Sequence, residues 1–384
     1  MRSFNESMTQ AKALTLQGRL LEATRLIQTG LGIEKPFIPE TAEHTSEGEN
    51  VVSFSTSKAS ETRPIPTWNA PKTEAEDIEF REEPDTVAST QSAKGPAVSA
   101  PASFTLHETQ AGAQSYNYRL FVPSRTSVEA TLPIVVMLHG CKQNADDFAR
   151  GTAMNVIAER EKFIVAYPEQ NRQCNSMGCW NWFEPQHQQR GRGEPAMIAA
   201  LVAKLVADHR GDASRVYVAG LSAGGAMAAL VGQLYPDIFA AVGVHSGLAP
   251  ATAHDIASAF SAMRKGPSAS SRNPIALPII VFQGSDDKTV APANAQAIVK
   301  IELDTLRAMG FDLQRIKEDA NFGGSRKATR ERWIDTDGKC LVESWNVSNA
   351  AHAWAGGDSA GSFTDPQGPN ASEAMFRFFR LHSK

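Results

Sequence analysis

A short glycine-rich segment places one serine where it could act as a nucleophile. The segment reads Gly220-Leu221-Ser222-Ala223-Gly224, follows the apolar run RVYVA and opens the helical pattern SAGGAMAALVGQLY. A GxSxG match alone is a weak signal, but between a strand and a helix the glycines permit a tight turn that lifts the serine above the sheet edge. The helix start also supplies free N–H groups near developing negative charge. We predict that Ser222 is a catalytic nucleophile.

A serine hydroxyl needs a general base, because it is a poor nucleophile at neutral pH. On a strand–turn–helix scaffold the histidine is the last of the three catalytic groups along the chain. We therefore compared three histidines beyond the apolar run at 241–244. His254 precedes any acid on a late strand, and His382 lies at the end of the last helical pattern. His352 follows the run at 342–347 in a loop of small residues, and we predict that it is the base.

The acid that orients this histidine should leave the carboxyl end of a buried strand, the favoured place for functional groups in open α/β sheets. The run PIIVF leads directly into two carboxylates, Asp286 and Asp287. Spacing alone does not choose between them. The other aspartate would be a solvated turn or helix-capping residue.

An oxyanion hole needs two backbone N–H groups that point at the tetrahedral oxygen. One is predicted to come from Ala223, directly after the nucleophile. The other is predicted in the loop that begins His139-Gly140-Cys141, where Gly140 permits an unusual backbone path and the Cys141 N–H is the donor. His139 precedes the nucleophile and is more typical of a structural hydrogen-bonding residue than of a base.

Strand-like and helix-like patterns alternate after about residue 103. The strand-like runs after the first are almost continuously apolar, as buried parallel strands are. Such alternation predicts a doubly wound, mostly parallel α/β sheet with right-handed crossovers, in one domain over 102–384. The predicted strands are 116–122, 134–138, 163–167, 215–219, 241–244, 278–282 and 342–347, and the predicted helices are 194–209, 223–234, 291–309 and 370–381.

The first hundred residues have a different character. Residues 1–32 are predicted to form a helical segment, with apolar residues at helical spacing and a break at Gln17-Gly18. Residues 33–101 hold 13 acidic and 6 basic residues, a net charge of −7, and eight of the 21 prolines. Their isolated apolar residues cannot offset the entropy of ordering, so this stretch is predicted to be a disordered linker.

Composition excludes several function classes. The net charge of −4 gives no electrostatic footprint for nucleic acid, and no run approaches the roughly 18 apolar residues that span a membrane. The amino end has no continuous apolar stretch of the secretory type, which predicts a cytoplasmic protein. Four cysteines are too few for a disulfide scaffold, and Cys174 with Cys179 has no second pair that would complete a zinc site, so reduced thiols are expected.

Taken together, these motifs resemble the polyhydroxybutyrate depolymerase family of esterases, close to the feruloyl and acetylxylan esterases of the same group. The resemblance covers residues 103–384. Its motifs occur in the family's order and are LHGCKQNADDFA (138–149), CWNWF (179–183), GLSAGGAMA (220–228), GSDDKTV (284–290), AHAWAGG (351–357) and TDPQGP (364–369).

The resemblance implies an α/β-hydrolase fold and places the acid on Asp287 rather than on Asp286. It also shows one departure, because Gln283 stands where the family has a histidine; at this flanking position we expect it to leave the triad untouched. The family's HGC turn and CWNWF segment imply that Cys141 and Cys179 lie close enough for a disulfide.

The resemblance further implies aromatic residues around the substrate. Trp180, Trp182 and Trp354 are predicted to line the substrate cleft, although each tryptophan could instead pack in the core beneath the sheet edge.

The sequence therefore predicts a serine esterase that acts on polyhydroxyalkanoate-type esters and uses no metal or organic cofactor. An esterase for feruloyl or acetyl groups, or for short soluble esters, is the alternative within this class. From another class, the chain could be a catalytically silent protein that binds polyester granules or a partner through its N-terminal helices. Many relatives look secreted, so an extracellular location is the alternative to the cytoplasm.

Overall fold

Ten strands form one continuous sheet in the part of the chain that is described. The computed structural model describes residues 100–111, 114–125, 130–267 and 274–384. The strand order is β1-β2-β4-β3-β5-β6-β7-β10-β9-β8, and the six strands from β4 to β10 run parallel to one another. The strands are β1 Ser103–Ala111, β2 Gln114–Val122, β3 Leu132–Leu138, β4 Ile164–Pro168, β5 Gly211–Leu221, β6 Ala241–His245, β7 Ile279–Gly284, β8 Gln314–Ala320, β9 Ala328–Ile334 and β10 Cys340–Val347. A separate parallel pair joins β11 Trp354–Ala355 to β12 Thr364–Asp365.

Helices cover both faces of this sheet. They are α1 Ala145–Thr152, α2 Met154–Glu161, α3 Gly193–His209, α4 Ala223–Leu234, α5 Ile256–Lys265, α6 Ala293–Ala308 and α7 Ala371–Phe379. Helices α3 to α6 contribute to one hydrophobic core, whereas α1, α2 and α7 contribute to the other. No helix among the described residues is both long and apolar enough to cross a membrane.

Side chains of the central strands alternate between these two cores. Along β3, Ile134 and Val136 pack into the first core, and Val135 and Met137 pack into the second. Successive side chains of a strand point to opposite faces, so a strand buried on both faces must be apolar at every position. This requirement explains why the apolar run IVVML predicts a strand.

All seven predicted strands and all four predicted helices are present, with ends shifted by at most a few residues. Strands β1, β8, β9, β11 and β12 and the short helices α1, α2 and α5 were not predicted. Strand β8 reads QRIKEDA and is mostly exposed, so it lacks the apolar run on which the other assignments rested. The predicted helical segment at 1–32 and nearly all of the linker predicted at 33–101 lie outside the described residues.

The parallel strands carry their carboxyl ends to one edge of the sheet, where the predicted site residues follow β3, β5, β7 and β10. Close backbone packing holds the loops of this edge together. A Cβ on Gly224 would overlap the carbonyl oxygen of Leu138, and one on Gly284 would overlap that of Ala350. The serine turn therefore rests against the end of β3, and the turn after β7 rests against the loop that precedes His352.

Candidate active site

Ser222 lies on a strained turn between β5 and α4. Its φ of 59° and ψ of −120° fall outside the regions that residues with a side chain prefer. The backbone is held there because the Ser222 N–H donates to the carbonyl oxygen of His245, at 2.9 Å. Such a turn exposes a side chain at the top of a sheet, the arrangement that a nucleophilic serine requires.

Asp287 and His352 form a direct pair at the same edge of the sheet. Nδ1 of His352 lies 2.7 Å from Oδ2 of Asp287, although the residues are 65 positions apart. The other carboxylate oxygen accepts the N–H groups of Thr289 and Val290, at 2.9 and 2.8 Å. This contact directs Nε2 of the imidazole away from the carboxylate, where it can act as a base.

The charge on Asp287 is favoured by its partners. Burial alone would raise the pKa of this carboxyl, but the hydrogen bond and charge interaction with His352 and the two backbone donors outweigh burial and hold the pKa below its ordinary value. Asp286 is exposed, and its own N–H donates to the carbonyl of Ala350. Of the two aspartates, the structure brings Asp287 to the histidine.

His245 connects the serine turn to the histidine loop, and the sequence analysis missed it. It is buried at the end of β6; besides accepting the Ser222 N–H through its carbonyl, its Nε2 accepts the N–H of Ala355, at 3.0 Å. Its ring lies between Phe282 and Trp354. Burial, with a smaller contribution from His352, lowers the pKa of His245 to about 3, so the ring is neutral at ordinary pH. Its position directly after an apolar strand was the available signal.

Gln283 corrects one expectation. This departure from the family was expected to leave the triad untouched, but Nε2 of Gln283 donates to Oδ2 of Asp287 at 3.1 Å. The same amide nitrogen donates to the carbonyl of Val290, at 3.0 Å. Gln283 is buried at the end of β7, so its side chain contacts the acid itself.

One predicted oxyanion donor belongs to the serine turn itself, and the other belongs to the loop after β3. Ala223 is the first residue of α4, where helix geometry leaves the N–H without an intrahelical acceptor. On the loop after β3, a Cβ on Gly140 would stand 3.6 Å from the Cβ of Ser222, so the residue that precedes Cys141 lies against the serine turn. His139 is buried and structural, since its Nε2 accepts the Gln170 N–H and burial lowers its pKa to about 4.

A disulfide joins Cys141 to Cys179, the pair that the resemblance implied, so the expectation of reduced thiols does not hold for these two residues. Cys174 and Cys340 are free. The bond closes a loop whose ends are 38 positions apart and attaches the residue with the predicted oxyanion donor to the CWNWF segment.

We expect Cys179→Ser to lower the free energy of unfolding by about 3–4 kcal/mol, the loop-closure contribution for a loop of this length. Denaturant titration under non-reducing conditions measures this loss. Cys174→Ser, which removes a free and half-buried thiol nearby, is the matched control and should leave the titration midpoint close to that of the unmodified protein. Equal midpoints for Cys179→Ser and the unmodified protein would contradict the expectation.

A buried carboxyl is hydrogen-bonded to the segment that carries the Cys141–Cys179 disulfide. Glu194, at the start of α3, accepts the backbone N–H of Asn181 at 2.8 Å and the side-chain amide of Gln170 at 2.5 Å. Gln170 also donates to the carbonyl of Cys179 and, through its backbone, to His139. Burial raises the pKa of Glu194 to about 7 in spite of these donors. The network therefore links a titrating group to both ends of the disulfide region.

We expect stability to depend on this carboxyl between about pH 4.5 and pH 7. A carboxyl whose pKa is higher in the folded than in the unfolded state contributes most below the unfolded value and loses that contribution as pH rises to the folded value. Glu194→Gln should flatten the fall in the free energy of unfolding across this window by on the order of 2–3 kcal/mol. Denaturant titrations at several pH values test this, with exposed Glu108→Gln as the control, and an unchanged slope in Glu194→Gln would refute it.

The structure buries the three tryptophans that were predicted to line a substrate cleft. Trp180, Trp182 and Trp354 were predicted to line a substrate cleft, but they are only 0%, 5% and 1% exposed. The indole N–H of Trp180 donates to the carbonyl of His139, and that of Trp354 donates to Ser372. Their rings belong to the two hydrophobic cores, which is the alternative that the sequence left open for them. No cluster of three or more His, Cys, Asp or Glu side chains in the described part of the chain could hold a metal ion.

The chain is similar in sequence to known esterases. The family model described as Esterase PHB depolymerase matches residues 116–332. Poly(3-hydroxyalkanoate) depolymerase C of Paucimonas lemoignei is 33% identical over 254 residues, which are 63% of this chain and 59% of the relative. Feruloyl esterase B of Thermothelomyces thermophilus is 32% identical over 142 residues, 37% of this chain and 48% of the relative. The chain thus spans about half to three-fifths of the length of these curated relatives.

Among solved structures, an acetyl xylan esterase from Aspergillus awamori superposes with a TM-score of 0.55 at 19% identity. The superposition covers 72% of this chain and 99% of that one. With the mostly parallel sheet, this likeness shows the α/β-hydrolase fold that the sequence predicted. His352 lies beyond the residues that the family model matches, so its assignment rests on its contact with Asp287.

Proposed function

Because this chain belongs to the Esterase PHB depolymerase family, we propose that it is a serine carboxylic-ester hydrolase acting on polyhydroxyalkanoate-type esters such as poly- or oligo-3-hydroxybutyrate. The observation that carries the proposal is the 2.7 Å contact between His352 and Asp287, at the sheet edge where Ser222 occupies its strained turn. A hydrogen-bonded carboxylate and imidazole at the sheet edge that carries the serine turn is the arrangement that activates a hydroxyl nucleophile.

In the proposed reaction, Oγ of Ser222 attacks the ester carbonyl while Nε2 of His352 takes its proton. The N–H groups of Cys141 and Ala223 stabilise the tetrahedral oxyanion. As the C–O bond breaks, the imidazolium returns the proton to the leaving alcohol, and an acyl-serine remains. Water, deprotonated by the same histidine, then attacks the acyl group, and Ser222 recovers its proton as the acid departs.

The substrate class is supported by the relatives. Two of them are named poly(3-hydroxyalkanoate) and poly(3-hydroxybutyrate) depolymerases, from Paucimonas lemoignei and Ralstonia pickettii. Feruloyl and acetylxylan esterases match shorter stretches of the chain. A panel of 3-hydroxybutyrate oligomers, methyl ferulate and acetylated xylan separates these classes. The proposal expects the highest kcat/KM on the oligomers, and preference for either of the other two substrates would overturn the assigned class.

A fluorophosphonate probe tests the reaction itself. Such probes phosphonylate only a serine that its neighbours have activated, so the wild-type protein should be labelled and Ser222→Ala should not. A wild-type protein that stays unlabelled at high probe concentration would overturn the esterase and favour a silent binding protein.

The disulfide bears on location. Structural disulfides persist in oxidising compartments and are rare in the cytoplasm. The Cys141–Cys179 bond therefore supports the extracellular alternative over the cytoplasm. Thiol alkylation of the protein from its native host, followed by mass spectrometry, should find both cysteines blocked from alkylation, and alkylated Cys141 and Cys179 would favour the cytoplasm.

A further inference from the structure

A buried glutamine connects two loops of the site that are far apart in the chain. Gln143 is 3% exposed and lies just before α1, on the loop that carries Gly140 and Cys141. Its Oε1 accepts the N–H of Gly140, at 2.9 Å, and its Nε2 donates to the carbonyl of Ser362, at 3.0 Å. Ser362 is 219 positions further along, in the segment between β11 and β12 that follows His352.

Gln143 occupies one backbone N–H of its loop and thereby leaves another free to bind an oxyanion. Oε1 of Gln143 engages the N–H of Gly140, the Lys142 N–H donates to Met177, and the Gln143 N–H donates to the carbonyl of Gly140. Within the described residues, the N–H of Cys141 is the one in this stretch for which no protein acceptor is recorded. A Cβ on Gly140 would lie 3.1 Å from Oε1 of Gln143 and 3.6 Å from the Cβ of Ser222. The hydrogen bond between Gln143 and Gly140 therefore lies close to the predicted nucleophile.

The far end of the glutamine is clamped as well. Asp147 on α1 accepts Nε2 of Gln143 at 3.1 Å and the backbone N–H of Ser362 at 2.9 Å. The same segment begins at β11, where the Ala355 N–H donates to His245. The orientation of the Gln143 amide is therefore fixed from both ends, with the nitrogen toward Asp147 and Ser362 and the oxygen toward Gly140.

We infer that Gln143 is a positioning residue that holds the Cys141 N–H as the oxyanion donor and ties the oxyanion loop to the segment after the catalytic histidine. This inference rests on the proposed esterase function. Without Oε1, the buried N–H of Gly140 loses its acceptor, and the loop must turn to satisfy it. This movement of the loop misaligns the Cys141 N–H with the substrate oxygen, which is anionic only in the transition state. The rate of the chemical step therefore falls, and substrate binding is unchanged.

The test compares substrate turnover with binding of a trifluoromethyl ketone, which adds to Ser222 as a tetrahedral oxyanion. We expect Gln143→Leu to lower kcat/KM by about 10–100-fold and to weaken inhibition by the ketone by a similar factor, with KM changed little. Rates are normalised to the fraction of protein that a fluorophosphonate labels, which removes any effect of misfolded molecules.

Gln233→Leu is the matched control, since it removes a half-buried glutamine whose amide donates to Pro274, away from the site. It should leave both quantities unchanged. Gln143→Leu with wild-type kcat/KM, or with a lower kcat/KM but unchanged inhibition by the ketone, would overturn the positioning role while the esterase function stands. A wild-type protein that is neither labelled nor active would instead overturn the proposed function.

Discussion

Replacement of His352 by alanine is expected to lower kcat for ester hydrolysis by about 10⁴-fold or more, because nothing then removes the proton from Ser222. The structure shows why the two buried histidines at this edge of the sheet cannot substitute. His245, which also follows a central strand, is buried with its Nε2 engaged by Ala355 and its pKa lowered to about 3. His139 is likewise buried and occupied by Gln170. Initial rates on a p-nitrophenyl ester measure the loss.

His254→Ala is the matched control, because His254 was the other loop histidine considered from the sequence and is exposed. It should keep the wild-type rate. A His352→Ala protein that retains more than a tenth of the wild-type kcat would contradict the assignment, and a large loss in His254→Ala would show that the base had been misplaced.

The central part of the fold was predictable because burial on both faces leaves a continuous apolar run. β3, β4 and β7 have every residue buried or nearly so, and each was recognised. Strands β8 and β9, at one end of the sheet, escaped recognition because neither is buried on both faces, so charged residues can occupy their exposed positions. In β9, the guanidinium groups of Arg330 and Arg332 reach Glu318 on β8, so ion pairs across the two strands replace an apolar face.

The site was predictable to the extent that chemistry restricts residue types. A nucleophile turn requires glycines, and a base must follow a late strand, so Ser222 and His352 emerged from the pattern alone. Asp286 and Asp287 could not be separated by spacing, because the choice depends on which side chain turns inward. Gln143, Gln283 and His245 were not found at all, since their roles come from contacts between segments distant in sequence.

The tryptophans show the opposite error. An aromatic residue near a catalytic motif can either line a cleft or pack in the core, and the composition of the segment does not distinguish these two positions. Trp180 packs against His139, with ring centroids 5.6 Å apart, and Trp354 stacks on His245, at 5.0 Å. Both rings thus contact buried histidines next to the loops of the predicted site.

Asp287→Asn is expected to lower kcat by about 10⁴-fold while leaving the fold intact. The backbone N–H groups of Thr289 and Val290 both donate to Oδ1, so the asparagine should keep its oxygen there and turn its NH₂ toward His352. The side-chain amide of Gln283, which donates to Oδ2 in the unmodified protein, must then turn its oxygen toward this NH₂. Nδ1 must then accept a hydrogen bond, which puts the ring proton on Nε2. In that tautomer Nε2 cannot take the proton of Ser222, so the variant holds a correctly placed base in the wrong protonation form.

Asp286→Asn makes the same chemical change one residue earlier, on an exposed side chain, and should leave kcat near the wild-type value. The double variant Asp287→Asn/His352→Ala adds a sharper criterion. Its kcat should equal that of His352→Ala alone, because a carboxylate that acts by orienting the imidazole has no effect once the imidazole is gone. If the two substitutions instead multiplied their losses, Asp287 would act on the reaction independently of His352, and the pairing seen between Nδ1 and Oδ2 would not be its catalytic role.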